Sequence, residues 1–105
     1  MAVKISGDNF EAEVLNSDKL VIADFYSDSC VPCKRLSPVI AEIEEENQDS
    51  VKVAKLNINF DSETPEKYSV TSVPTLIFFK NGEEIARITG AVKKDKITQT
   101  INSIE

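Results

Sequence analysis

A chain of 105 residues with 41% hydrophobic and 29% charged residues has the composition of one globular domain, spanning 1–105, rather than of a disordered segment. Its formal net charge of −6 argues against a nucleic-acid partner, because phosphate binding needs clustered Lys and Arg. The absence of histidine removes a His general base, a Ser-His or Cys-His nucleophile pair and most zinc sites. No apolar run approaches the roughly 20 residues needed to span a bilayer, so no membrane association is expected. The stretch "MAVKISGDNF" lacks the apolar core of a signal peptide, and a cytoplasmic location is the expectation.

In chain order, "VKIS" (3–6) reads as a short first strand. "DNFEAEVL" follows as a helix, with Asp8 or Asn9 as N-cap and Phe10, Val14 and Leu15 on one face. "KLVIADFYS" is a nearly continuous apolar run, as expected of a strand buried on both sides. The next helix begins around the cysteines and carries Leu36, Val39, Ile40 and Ile43 as an apolar stripe, with Pro38 expected to kink it. The run Glu42, Glu44, Glu45, Glu46 reads as its solvated face.

"VKVAKLNI" (51–58) is a second buried strand, and "TPEKYS" a short helix with Thr64 as N-cap and Pro65 at its first position. "TLIFFK" and "EEIARIT" flank Asn81-Gly82, a strong hairpin signal because both turn residues tolerate positive φ. A last helix from about Lys94 repeats apolar residues at Ile97, Ile101 and Ile104. The order βαβαβαββα implies parallel crossovers followed by an antiparallel hairpin: an α/β fold whose central mixed sheet carries helices on both faces.

The only two cysteines, Cys30 and Cys33, lie together in "ADFYSDSCVPCKRLSP" at a strand-to-helix junction. A structural disulfide over so short a span constrains little of the unfolded chain. Two thiols without imidazole make a poor metal site unless a second chain or carboxylates complete it. A reversible dithiol/disulfide couple fits better, since Cys-x-x-Cys in a βαβ context is the pattern for that chemistry. The positive field of a helix N-terminus fades within about one turn. Cys30, at the outer end, is thus the expected nucleophile, and Cys33, one turn in, the shielded resolving thiol. Pro32 brings no amide hydrogen to the first turn and stiffens the pair.

Asp24 is anomalous inside the apolar "LVIADFY", and Lys55 is anomalous in "VKVAKLNI" on a strand expected to be adjacent. Two readings stand. A buried carboxyl with a raised pKa could accept the proton of Cys33, or Asp24 and Lys55 could form an inert buried ion pair.

Taken together, "DFYSDSCVPCK", Pro38, "VAKLNI", "SVPTLIFFKNGEE" and Gly90 resemble the thioredoxin family in order and spacing over essentially the whole chain. The resemblance implies the thioredoxin fold and a protein disulfide reductase with no cofactor of its own. Its implied partners are a thioredoxin reductase and disulfide-containing proteins, and the chain is expected to be monomeric. The resemblance further implies a cis peptide bond before Pro74, where spacing alone permits an ordinary trans proline at a strand start. Val73, Pro74 and Thr75 would bracket the docked substrate chain, with Val31, Pro32, Gly90 and Ala91 forming the apolar rim. It also implies that Asp24 and Lys55 assist proton transfer. The chain departs from the family pattern at Ser29 and Val31, where Trp and Gly are usual, and at Tyr26, where another Trp is common. Such changes alter the recognition surface and the balance between thiolate and disulfide. A net oxidase or isomerase differs only in the poise of the couple, and a non-enzymatic binding module would use the rim alone.

Overall fold

The computed structural model describes residues 2–104, so the ends of the expected 1–105 span, Met1 and Glu105, lie outside the described residues. Five strands form one sheet in the order β1-β3-β2-β4-β5, with β1 Val3–Lys4, β2 Leu20–Tyr26, β3 Val51–Asn57, β4 Thr75–Lys80 and β5 Glu83–Thr89. β1, β3 and β2 run parallel, whereas β4 is antiparallel to β2 and β5 antiparallel to β4. The α-helices are α1 Val31–Glu46, α2 Glu63–Lys67 and α3 Lys94–Ile104. The fold is therefore the mixed-sheet α/β arrangement that the element order implies.

Alternation along the strands divides the core between two faces. Leu20, Ile22, Val51, Val53, Leu76 and Phe78 meet Leu36, Ile40 and Ile43 of α1 and Ile97 and Ile101 of α3. Val21, Ala23, Phe25, Ala54, Leu56, Ile77 and Phe79 face the other way, onto Phe10 and Val14, with Tyr68 at their edge. Phe10, Tyr68 and Phe79 form an aromatic trio with centroids 5.0 to 5.7 Å apart. The central strand β2 is buried from Leu20 to Phe25, which explains its unbroken apolar run. Each such large side chain contributes about 1.5–3 kcal/mol on burial.

Several local details depart from expectation. The first helix is a five-residue π-helical turn, Glu11–Leu15, with Phe10 at its N-cap. Neither Asp8 nor Asn9 caps it. Asn9 instead closes the preceding turn, where its Oδ1 accepts the Ser6 N–H at 2.8 Å and its Nδ2 donates to the Lys4 carbonyl at 3.1 Å. Thr64 and Pro65 lie within α2 rather than at its start. The capping role passes to Asp61, whose Oδ1 accepts the N–H groups of Glu63 and Thr64, both at 3.1 Å. α1 runs unbroken from Val31 to Glu46 through Pro38, which removes the helical donor to the Lys34 carbonyl. Glu42 and Glu46 are more than a solvated face, since both carboxylates bind Lys94 at the start of α3.

The hairpin forms as its turn signal requires. Asn81 and Gly82 have φ of 53° and 82°, and Lys80 pairs with Glu83. The register then passes from Phe79–Glu84 to Phe78–Ala86, leaving Ile85 as a bulge residue.

Candidate active site

The candidate site lies where β2 and β3 end and α1 begins, at the carboxyl ends of the parallel strands, where α/β proteins place their chemistry. After Tyr26 the chain turns through residues 27–30 and enters α1 with Cys30 as N-cap, in extended conformation with ψ of 106°. The loop is tied to the end of β3. Asn57 Nδ2 donates to Asp28 Oδ1 at 2.9 Å, and the Asp28 N–H donates to Asn59 Oδ1 at 2.8 Å. The Asn59 N–H returns to Asn57 Oδ1 at 3.0 Å, closing a side-chain lattice beneath the turn.

Cys30 and Cys33 are joined in a disulfide with Cα atoms 5.2 Å apart. The Cys33 N–H donates to Cys30 Sγ at 3.1 Å, so the first turn of α1 presents a backbone donor to the outer sulfur. Cys33 is 7% exposed, and Cys30 is only half-buried. That order of exposure follows position along α1: Cys30 is the N-cap at the open end of the helix, whereas Cys33 lies one turn further in, on the buried stripe with Leu36, Ile40 and Ile43.

Asp24 and Lys55 are partners in the parallel pairing of β2 and β3. Strand alternation sends both side chains to the α1 face, and a cavity of about 170 Å³ there is lined by Asp24, Lys55, Cys33 and Ser37. Asp24 is 3% exposed, and its Oδ1 has no hydrogen-bond partner among the described residues. Burial, opposed in part by the charge of Lys55, pushes this carboxyl up from 3.8 to about 6. Among the described residues, no ion pair joins it to Lys55. The ammonium instead donates to Ser37 Oγ at 3.3 Å and lies 5.0 Å over the ring of Tyr26. The buried ion pair that the sequence allowed is thus not formed.

The residues of the expected rim are held at the same end of the sheet. The Val73–Pro74 peptide bond is cis, as the resemblance implied. The Pro74 carbonyl accepts the Gly90 N–H at 2.8 Å, and Gly90 takes a φ of 95° that favours glycine. Thr75 pairs with Phe25 on one side and Thr89 on the other, and its buried hydroxyl donates to the Ser72 carbonyl at 2.7 Å. Val73 and Pro32 are half-buried, Ala91 is exposed, and Val31 is 61% exposed. Pro74 itself is buried.

Sequence reasoning did not single out Ser37, Asp28, Asn57 or Asn59. Ser37 had a signal: it stands four residues after Cys33 and so shares its helix face. The Asp28–Asn57–Asn59 lattice had none, because it joins the loop after β2 to the end of β3, and their approach depends on strand pairing.

A buried carboxyl, a half-exposed sulfur at a helix N-terminus and a shielded second sulfur define a thiol–disulfide oxidoreductase on a mixed α/β sheet. The thioredoxin family model matches residues 1–103. Thioredoxins of Rickettsia bellii (strain RML369-C) and Rickettsia typhi (strain ATCC VR-144 / Wilmington) are 41% and 44% identical, covering 98% and 97% of this chain and the same shares of their own. The thioredoxin of Acidithiobacillus ferridurans is 40% identical over 94% of this chain and 92% of its own. The chain belongs to the thioredoxin family, and its activity is that of a dithiol–disulfide reductase.

Proposed function

We propose that Cys30 attacks a disulfide of a protein substrate, that Cys33 resolves the mixed disulfide, and that Asp24 receives the proton Cys33 must lose. In the first step the Cys30 thiolate forms a bond to one substrate sulfur, and the substrate disulfide breaks to release a thiolate. In the second, Cys33 attacks Cys30 Sγ, the mixed disulfide breaks, and the second substrate thiol leaves. Two electrons pass from the dithiol to the substrate, and the Cys30–Cys33 disulfide remains. Re-reduction by a separate thioredoxin reductase closes the cycle. A cytoplasmic setting, where thiols are kept reduced, suits this direction of exchange.

The observation that carries the proton-transfer reading is the shared cavity. Asp24 and Cys33 line one space, and Asp24 Oδ1 has no hydrogen-bond partner among the described residues. A carboxyl raised to about 6 is poised to take a proton near neutral pH and to return it to a leaving thiolate. Lys55, on the same cavity, moderates the charge that appears on Asp24. Val31, Pro32, Gly90 and Ala91 supply the rim against which the substrate chain lies, and backbone groups at Val73, Pro74 and Thr75 bracket it. Asp24→Asn tests the assignment. Mixed disulfides between Cys30 and a model substrate should decay at least several-fold more slowly, while their formation is unchanged. Decay at the wild-type rate would remove Asp24 from the mechanism.

A further inference from the structure

Ser37 occupies a position that the exchange chemistry above leaves unused. It stands on α1 one turn beyond Cys33, with its side chain on the wall of the cavity that holds Asp24. Its Oγ accepts a hydrogen bond from Lys55 Nζ at 3.3 Å. Lys55 is the direct strand partner of Asp24 and the cation whose charge acts on its carboxyl. Parallel strands place such partners about 5 Å apart, so the flexible lysine stem can reach the carboxyl. Yet the ammonium is drawn to the helix side, between the Ser37 hydroxyl and the Tyr26 ring, and among the described residues Asp24 Oδ1 is left without a hydrogen-bond partner.

We propose that Ser37 is a positioning residue for disulfide exchange: its hydroxyl holds the Lys55 ammonium back from Asp24, keeping the carboxyl unpaired and free to take the Cys33 proton. The proposal rests on Asp24 as the proton acceptor, but the position of Lys55 can be read without any turnover. The other groups facing Asp24 are few. Cys33 and Lys34 come from α1, Tyr26 from its own strand and Asp28 from the loop, while β4 brings the apolar Leu76 opposite it. Burial is the larger influence on Asp24 and Lys55 the opposing charge. In the disulfide form Cys33 does not titrate, so a change in Asp24 ionisation at unchanged burial reports on Lys55.

If the Ser37 hydroxyl is removed, Lys55 is released to swing across the cavity and pair with Asp24. An adjacent opposite charge favours the ionised carboxyl and lowers its pKa by about 1 or more. The replacement also suits the helix, because alanine is a better helix former than serine.

The test is carbon NMR of the Asp24 carboxyl through a pH titration of the full disulfide-bonded chain, with the signal assigned by its loss in Asp24→Asn. In Ser37→Ala the midpoint should fall by about one pH unit from the wild-type value. Ser37→Thr, which retains a hydroxyl, should restore it. In a Lys55→Gln background, adding Ser37→Ala should produce no further change, because the residue acts through the lysine. An unchanged midpoint in Ser37→Ala, or an equal fall in the Lys55→Gln background, would overturn the proposal. These readouts do not depend on Asp24 acting as a base. Should Asp24→Asn leave mixed-disulfide decay unaltered, the catalytic reading fails while the placement of Lys55 by Ser37 is still decided by the titration.

Discussion

Asp24 and Lys55 stand opposite each other on adjacent parallel strands, yet the carboxyl and the ammonium form no ion pair. The lysine is hydrogen-bonded to Ser37, and the aspartate is buried with one oxygen that has no hydrogen-bond partner among the described residues. A buried carboxyl without a cation on it is unfavourable for stability and useful for moving protons. The consequence can be measured on the folded protein.

Burial raises the Asp24 carboxyl from 3.8 to about 6, with Lys55 offsetting part of the effect. The folded state therefore holds this proton more tightly than the unfolded state does. Below 3.8 both states are protonated and Asp24 costs nothing. As pH rises toward about 6 the unfolded state ionises first, so stability is lost across that window and stays lost above it. The shift corresponds to roughly 2–3 kcal/mol. Asparagine has no proton to lose, so the stability of Asp24→Asn relative to wild type should climb by about that amount over the same window. Urea unfolding of the disulfide forms at several pH values checks this. A difference independent of pH would mean that Asp24 ionises as readily folded as unfolded.

The two sulfurs should behave unequally. Cys30 is half-buried at the helix N-cap, whereas Cys33 is 7% exposed on the sheet side. A Cys33→Ser variant should accumulate stable mixed disulfides with substrate proteins through Cys30. Cys30→Ser should trap none above background. Non-reducing electrophoresis and mass spectrometry of the adducts distinguish the two, and equal trapping by both variants would contradict the assignment of roles.

Gly82 lies in the β4–β5 turn, at the end of the sheet away from the cysteines. A side chain there would have to adopt a φ of 82° and would bring a Cβ to 3.2 Å from the Leu15 carbonyl. Gly82→Ala should therefore lose about 1–2 kcal/mol of stability. Insulin disulfide reduction per folded molecule should not change. A loss of specific activity would show that the turn communicates with the site.

Asp61 ties the start of α2 to the turn after β1. Its Oδ2 accepts the Gly7 N–H and the Thr64 hydroxyl, both at 2.7 Å. Partial burial works against its charge, but these donors and the Thr64 and Glu63 amides hold the carboxyl below its ordinary value. Asp61→Ala should cost about 1 kcal/mol, the usual value for a helix cap. Because the folded pKa is depressed, this contribution is complete above 3.8 and fades as pH falls through the folded value. Chemical unfolding of both proteins at neutral and acid pH should show the gap closing on the acid side.

Much of the site was legible because its signals are local. Cys30 and Cys33 share one helical turn, the Asn81-Gly82 turn follows from its own backbone preferences, and the buried strands are continuous apolar runs. The N-caps were misread for an equally local reason. Asn9 and Thr64 each had a competing hydrogen bond, to the Ser6 and Lys4 backbone in one case and to Asp61 in the other, which spacing alone does not rank.

The sequence by itself determined the reactive pair, the order of elements and the presence of two charged residues out of place in apolar strands. Periodicity and composition suffice for these, since each depends on neighbours along the chain. Only the tertiary structure decided what surrounds those charges. The pairing of β2 with β3 sets Asp24 beside Lys55, and the packing of α1 over that face brings Ser37 within reach of the ammonium. Whether a buried carboxyl is neutralised by a cation or left free depends on such contacts between distant segments. The electrostatic energy of a charge in the interior is set by the few groups within a few ångströms of it, whatever their separation in sequence.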